Sequence, residues 1–347
     1  MRVAVVGATG AVGSTILGIM RERGFPADEV VAFASERSAG RTIDWGDRDL
    51  TVQALSEDAI QGFDLALFSA GGERSEEWAP RFVEAGAVVV DNSSFWRMHD
   101  EVPLVVVEVN PDAIEGHRGI VANPNCSTMQ MVVALKPILD TAGIERIVVS
   151  TYQSVSGTGQ RAMEELENQT RAIIEARELE QPSVYPHRIA FNALPQVEKF
   201  KDGDDYTTEE RKLMAETRKI LGTDEIGISA TCVRVPVYTS HSESVNVQTR
   251  DPLSPEQCRE ILADAPGVIV LDNPADGIYP LAIDAAGRDE VFVGRIRRDP
   301  SHERCLNMWV VGDNLRKGAA TNAVQLAELL VDRGLLGARP EVIGQRS

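Results

Sequence analysis

A short β-branched run at residues 3–6 ends at Gly7, and over 12–23 apolar positions recur at helical spacing until Gly24. This reads as strand, turn, helix. Apolar runs follow at 30–34, 65–68 and 87–90, separated by loops and by a helical pattern around 76–84. That succession predicts a parallel sheet with helices on its faces, an α/β arrangement. After Cys126 the texture changes. A helix is expected over 127–141, a strand over 146–154 and a polar helix over 161–179. Further strand-like runs at 229–237, 244–249, 291–297 and 306–311, with a short helical segment at 255–263, predict an α+β second domain with a mostly antiparallel sheet. The tail at 319–336 has helical periodicity and is expected to return to the first domain, and the acidic, Gly-containing stretch 201–208 is the most linker-like.

A length of 347 residues fits about two domains and a core that needs no disulfide or metal staple. With 43% hydrophobic and 25% charged residues the chain lies far from the disordered corner of composition space. A net charge of −18 repels phosphate backbones and anionic membranes, so neither nucleic acid nor membrane is an expected partner. The longest apolar runs, such as 87–90 and 104–107, are strand-sized, against the ~18 residues of a membrane helix. The first residues run directly into the Gly-rich turn without a signal-peptide pattern. Cys126, Cys232, Cys258 and Cys305 are scattered singly with no C-x-x-C pair, which fits a reducing, cytoplasmic compartment. His99, His117, His187, His241 and His302 show no metal-binding spacing, and no metal is expected.

Gly7-Ala8-Thr9-Gly10-Ala11-Val12-Gly13 joins the first strand to the first helix, where backbone amides and the helix dipole can receive a pyrophosphate. Its G-x-x-G-x-x-G spacing departs from the usual G-x-G-x-x-G, and tight turns also need glycine. The position after the first strand favours a dinucleotide. At the end of the second strand, Glu36 can accept from a ribose 2′-hydroxyl, whereas Arg37 and Ser38 can donate to a 2′-phosphate; the second reading, NADP, is favoured over Arg37 as a solvated loop charge.

Asn123-Pro124-Asn125-Cys126-Ser127-Thr128 puts a cysteine at a helix start among polar residues. A helix N-terminus favours the thiolate, and its free amides can bind an oxyanion. The alternative is a small buried hydrophobe, which is how Cys232, Cys258 and Cys305 read.

A dinucleotide turn with a cysteine at the domain junction suggests hydride transfer through a thioester, and here the sequence resembles the aspartate-β-semialdehyde dehydrogenase family. Beyond the turn and the cysteine segment, the resemblance is carried by Asp91-Asn92-Ser93-Ser94, Trp96-Arg97-Met98, Gln153-Ser154-Val155-Ser156-Gly157, Ile189-Ala190-Phe191-Asn192-Ala193-Leu194-Pro195, Glu209-Glu210-Arg211-Lys212, Arg234-Val235-Pro236-Val237, His241-Ser242-Glu243 and Asp313-Asn314-Leu315-Arg316-Lys317-Gly318. It covers nearly the whole chain. Thr158 stands where a small residue such as Ala is expected.

The resemblance implies a Rossmann-type NADP-binding domain over 1–125, joined by a C-terminal helix at 315–347, and a catalytic and dimerisation domain over 126–314. It implies NADPH-dependent reductive dephosphorylation of L-aspartyl-4-phosphate to aspartate semialdehyde and inorganic phosphate, a step toward lysine, threonine and methionine. Cys126 would be the nucleophile, His241 an acid/base of near-neutral pKa, and Gln153 the residue that orients the substrate. Arg234 would hold the substrate α-carboxylate and Glu209 its α-ammonium, with Asn125 also at the substrate and Arg97 and Lys212 on the phosphate. Gly7, Thr9, Gly10, Ala11, Val12, Arg37, Ser38, Ser156, Gly157 and Asn314 would bind the cofactor. A homodimer is implied, with the helix at 161–179 and the second-domain sheet as the expected interface.

Two other readings share part of this pattern. N-acetyl-γ-glutamyl-phosphate reductase is similar in turn, cysteine and histidine, but the Glu209 clamp for a free ammonium argues against its acetylated substrate. A catalytically silent NADP-binding regulator is disfavoured by the intact set Cys126, Gln153, Arg234 and His241. Glyceraldehyde-3-phosphate dehydrogenase shares the chemistry, but its Ser-Cys-Thr-Thr context is missing here.

Overall fold

The opening β-branched run forms strand β1 (Arg2–Val6), buried from Val3 onward, and the glycine turn after it starts helix α1 (Ala11–Glu22). In this computed structural model, which describes residues 1–46 and 48–337, the first unit continues with β2 (Glu29–Ala34), β3 (Thr42–Asp44), β4 (Asp49–Thr51), β5 (Gln53–Ala54), β6 (Leu65–Phe68), α2 (Gly72–Glu84), β7 (Val88–Asp91) and β8 (Ile120–Ala122). Six of these strands form one parallel sheet in the order β5-β2-β1-β6-β7-β8. Counted among themselves they run 3-2-1-4-5-6, the doubly wound arrangement that places a ligand at the carboxyl ends of its strands. β6 and β7 are buried at every position, so the sheet is covered on both faces.

The second unit, Cys126–Gly318, contains α3 (Cys126–Ala142), β9 (Ile144–Gln153), α4 (Gln160–Ile174), α5 (Thr208–Leu221), β10 (Gly227–Arg234), β11 (His241–Thr249), α6 (Pro255–Ala263), β12 (Val268–Val270), α7 (Ala282–Ala285), β13 (Val291–Arg298) and β14 (Cys305–Gly312). Its sheet has the order β10-β9-β11-β14-β13-β12. The three central pairings are antiparallel and the two edge pairings parallel. On β9 and β11 alternate residues are buried: Ile147, Val149, Thr151 and Gln153 on one, His241, Glu243, Val245 and Val247 on the other. This face is apolar toward one end and polar toward the other.

The chain from Ala319 belongs with Met1–Asn125. Helix α8 (Asn322–Asp332) puts Ala323, Leu326, Ala327 and Leu330 into one core with Val3, Val5, Ile16 and Met20. Arg23 grips Glu328 through two hydrogen bonds of 2.8 and 2.6 Å. The return starts later than residue 315, because Asp313 holds the preceding turn in the second unit by accepting from the amides of Leu315 and Arg316 at its side chain and of Gly318 at its carbonyl. Residues 338–347 of the expected C-terminal segment lie outside the described residues.

Several element ends differ from the sequence expectation. The polar helix stops at Ile174, not 179, because Ala176 takes a left-handed φ of 51° and the Arg177 amide closes back on Ala172 O at 2.8 Å. The strand expected to reach 237 ends at Arg234, just before Pro236, and the strand expected from 244 begins at His241. The short strands β3, β4, β8 and β12 are too brief to give a periodic signal. Residues 201–208 form a closed turn: Phe200 bridges Thr207 and Arg211 pairs with Asp204 at 2.6 Å. Among the described residues no helix is long and apolar enough to cross a membrane.

That turn ends in a reciprocal cap, where Thr207 accepts from the Glu210 amide and the Glu210 carboxylate accepts from the Thr207 amide. Thr207→Ala should therefore cost about 1 kcal/mol, measured as a lowered denaturation midpoint with unchanged steepness; an unchanged midpoint would show that the cap adds nothing to the buried contacts of α5.

Candidate active site

The polar end of the second-unit sheet gathers the ends of four neighbouring strands, β10, β9, β11 and β14. Gln153, the last residue of β9, is in register with Arg234, the last of β10. His241, the first of β11, is opposite Gly312, the last of β14. Helix α3 begins with Cys126, and one turn along it the Gln130 amide donates to His241 O at 3.3 Å. The helix start is thus tied to the strand start, since residues four apart share a helix face. Behind the thiol, a Cβ added to Gly318 would come within 2.9 Å of the Cys126 Cβ, so only glycine permits this approach. Cys126 is half-buried, whereas Cys232, Cys258 and Cys305 are buried. Burial pushes the Cys232 thiol far up and that of Cys258 to about 12, which makes both inert.

His241 is wholly buried. Its Nδ1 receives the Ser154 backbone N–H at 3.1 Å and lies 3.0 Å from Ser154 Oγ. Its Nε2, like Arg234 Nε, is a buried nitrogen with no hydrogen-bond partner, an arrangement that a ligand oxygen would relieve. Arg234 is anchored by donating to Ser154 O at 2.6 Å, and a Cβ at Gly157 would lie 3.3 Å from His241 Nε2 and 3.4 Å from Arg234 Nη1, so these groups converge. The expected near-neutral pKa of His241 is not what the site provides: burial, and then the Arg234 charge, lower it to about 3. The ring is neutral at physiological pH. Burial likewise lifts the Glu243 carboxyl well above its ordinary range.

Gln153 Nε2 donates to Glu209 Oε1 at 3.1 Å, joining the expected orienting residue to the expected ammonium acceptor. Lys212 is 3.9 Å from Glu209 and also pairs with Glu198, so a phosphate would meet a lysine already shared by two carboxylates. Ser156 and Asn314 are buried, with Asn314 Nδ2 donating to Ser156 Oγ at 2.9 Å; their side chains are turned into the network around His241.

In the first unit, Arg97 is buried and donates to Asn123 O at 2.9 Å and Asn92 O at 2.7 Å. Asn125 is buried and is the last residue of that unit's first segment. The glycine turn fits a pyrophosphate: no side chain caps α1, Thr9 and Gly10 are exposed, and a Cβ at Gly13 would fall 2.1 Å from Gly7 O, so the helix start lies directly on the turn. Arg37 is exposed and Ser38 half-buried in the turn after β2.

Sequence reasoning gave no individual role to Gln130, Ser154, Ser240 or Gly318. Gln130 was within reach, since it lies one turn from a candidate nucleophile. The two serines gave no signal, because their importance lies in the direction of their hydrogen bonds.

Residues 2–117 match the family described as semialdehyde dehydrogenase, NAD binding domain, and residues 135–317 match semialdehyde dehydrogenase, dimerisation domain. The aspartate-semialdehyde dehydrogenase of Aquifex aeolicus is 58% identical over 338 residues, 96% of this chain and 99% of that protein. Aspartate semialdehyde dehydrogenase II from Vibrio cholerae, crystallised in complex with ASA, superposes with a TM-score of 0.91 at 48% identity, covering 95% of this chain and 98% of that one. The Candida albicans enzyme, crystallised with NADP, gives 0.73 at 26% identity over 96% and 99%.

Burial of His241 has a consequence for stability. The unfolded chain takes up this proton near pH 6.5 and the folded chain only near 3, so the contribution is full above 6.5 and is lost as pH falls toward 3. Between pH 6.5 and about 5 the loss is about 2 kcal/mol. Denaturant unfolding at both pH values should show the native chain losing about 2 kcal/mol relative to His241→Asn over this interval, a comparison that removes the opposite contribution of the raised Glu243 carboxyl; equal changes would mean that His241 is not held neutral.

Proposed function

We propose, from the premise that this chain belongs to the aspartate-semialdehyde dehydrogenase family and has aspartate-semialdehyde dehydrogenase activity, that it works with NADPH through a thioester on Cys126. The observation that carries the residue assignment is the convergence at one sheet end: Gln153, Arg234 and His241 terminate neighbouring strands, and Gln130 docks the helix that begins with Cys126 onto His241.

Cys126, as thiolate at the helix start, adds to the acyl carbon of L-aspartyl-4-phosphate and displaces inorganic phosphate. Arg234 pairs with the α-carboxylate and Glu209 with the α-ammonium, which selects a free amino acid end over an acylated one. Gln153, held by Glu209, fixes the acyl group against the thiol. Arg97 and Lys212 take the phosphate, Asn125 lies beside the substrate, and His241 Nε2 serves the carbonyl oxygen.

The amides of Gly7, Thr9, Gly10, Ala11 and Val12 would hold the cofactor pyrophosphate, Arg37 and Ser38 the 2′-phosphate, and Gly157 with the backbone of Ser156 and Asn314 the nicotinamide end. When bound, the reduced nicotinamide supplies the hydride that converts the thioester to the aldehyde. Support for NADP comes from Arg37 and from the NADP complex of the Candida relative. The protein acts as a cytosolic homodimer, for which the matched dimerisation domain and the singly scattered free thiols speak.

Run in reverse, the chain should reduce NADP with aspartate semialdehyde only when phosphate is present, and Cys126→Ala should be silent. Turnover of N-acetylglutamate semialdehyde alone would move the substrate assignment to the acetylated class. Arg37→Ala should raise KM for NADPH about tenfold, the lower end of a charged hydrogen bond, and spare NADH; equal loss with both would make Arg37 structural.

A further inference from the structure

We propose that Asn123 and Asn322 are positioning residues for the phosphate: with Asn92 they form a ladder of side-chain amides that holds the two backbone carbonyls gripping Arg97, and so fixes the direction of its guanidinium. The proposal rests on the reading that Arg97 takes the phosphate.

The ladder follows from the sheet register of the first unit. β7 and β8 are parallel with Asp91 beside Ala122, and the Asn123 N–H donates to Asp91 O at 2.8 Å, so Asn92 and Asn123 leave neighbouring strand ends side by side. Asn123 Nδ2 donates to Asn92 Oδ1 at 2.7 Å and to Ala319 O at 3.0 Å. Asn123 Oδ1 accepts from Asn322 Nδ2 at 2.6 Å, and the same nitrogen donates to Val105 O at 2.9 Å. Backbone groups settle the orientation of each amide, because a carbonyl only accepts and an N–H only donates. At one end the Val107 N–H donates to Asn322 Oδ1 at 3.2 Å, and at the other Asn92 Nδ2 donates to Phe68 O at 2.8 Å. Oxygen and nitrogen of all three amides are thus partnered, with Asn123 and Asn322 wholly buried. A buried network satisfied throughout is rigid, and this one ties the first residue of α8 to the carboxyl ends of β7 and β8.

Arg97 is held by the main chain of the same two residues. Its Nε donates to Asn123 O at 2.9 Å and its Nη2 to Asn92 O at 2.7 Å. These nitrogens form one edge of the planar fork, and two fixed acceptors along one edge determine where its plane lies. Both acceptors are dipoles, so the guanidinium is oriented without being neutralised. An anion that has to be bound for reaction in one direction and released in the other gains more from a defined donor plane than from added charge. Were the carbonyls of Asn92 and Asn123 free to turn, the charge of Arg97 would remain and its direction would be lost. The loss would fall on the phosphate, since neither Cys126 nor the glycine turn takes part in the ladder.

The test uses the full chain in the direction that consumes inorganic phosphate, with aspartate semialdehyde and NADP. Asn322→Ala removes the far end of the ladder, and Asn92→Ala, at its half-buried end, repeats the measurement with less disturbance of the core. Each should lower kcat/KM for phosphate about tenfold, the lower end for a hydrogen bond to a charged group. KM for the semialdehyde and for NADP should stay within about twofold, and the NADP value reports that the first unit is intact. The two substitutions are then combined in turn with Arg97→Ala. A residue that acts through Arg97 has nothing left to act on there, so neither should lower kcat/KM for phosphate further. Normal phosphate dependence in both single variants, an additional loss in the Arg97→Ala background, or an equal loss for phosphate, semialdehyde and NADP overturns the proposal while leaving the reading of Arg97 intact. Normal phosphate dependence of Arg97→Ala alone overturns that reading and the proposal with it.

Discussion

The register of β9 between β10 and β11 is the constraint on which the site depends. Gln153 faces Arg234 on one side, and Tyr152 faces Ser242 on the other. Because side chains alternate between sheet faces, a slip of one residue would turn Thr151 and Gln153 off the covered face and bring Tyr152 onto it. The polar residues do not hold the register themselves. Ile147 and Val149 on β9 and Val245 and Val247 on β11 are buried farther along the same strands, and their packing pins the alignment. Apolar burial at one end of the sheet thereby sets the geometry of the polar groups at the other.

Burial also sorts the ionisable groups by function. Desolvation penalises the charged form of every group it reaches, lowering a histidine and raising a thiol or carboxyl. His241 is therefore neutral, the Glu243 carboxyl is pushed toward its protonated form, and Cys232 and Cys258 stay protonated. Cys126, at the start of α3, is only half-buried.

The doubly wound unit was legible because its strands are continuous apolar runs punctuated by glycine, and the glycine turn and Cys126 could be placed at helix starts from local pattern alone. The start of β11 was not legible: His241-Ser242-Glu243-Ser244 reads as a loop, and only the cover of α3 makes a buried strand of it. The end of α4 was hidden for a similar reason, since nothing in Ala176 announces a left-handed turn. Gln153, Arg234 and His241 were found through motif resemblance, which gives residue identity. It gives no direction to a hydrogen bond, so the near-neutral histidine it suggested became a deeply buried one beside an arginine.

An acidic chain that handles an anionic substrate must keep its working cations from being cancelled by its own carboxylates. The means differ from residue to residue. Arg234 is anchored by the carbonyl of Ser154, a dipole that fixes the guanidinium without neutralising it, and its charge adds to the larger effect of burial in lowering the His241 pKa. Lys212 is held instead by Glu198 and Glu209, whose charges offset its own. A planar guanidinium tied to a carbonyl suits permanent recognition of a carboxylate, while an ammonium shared among carboxylates exchanges partners at little cost. On the proposed assignment, the group that must leave the site, the phosphate, meets the residue whose charge is already half spent, and the part of the substrate that must stay in register meets the one whose charge is whole.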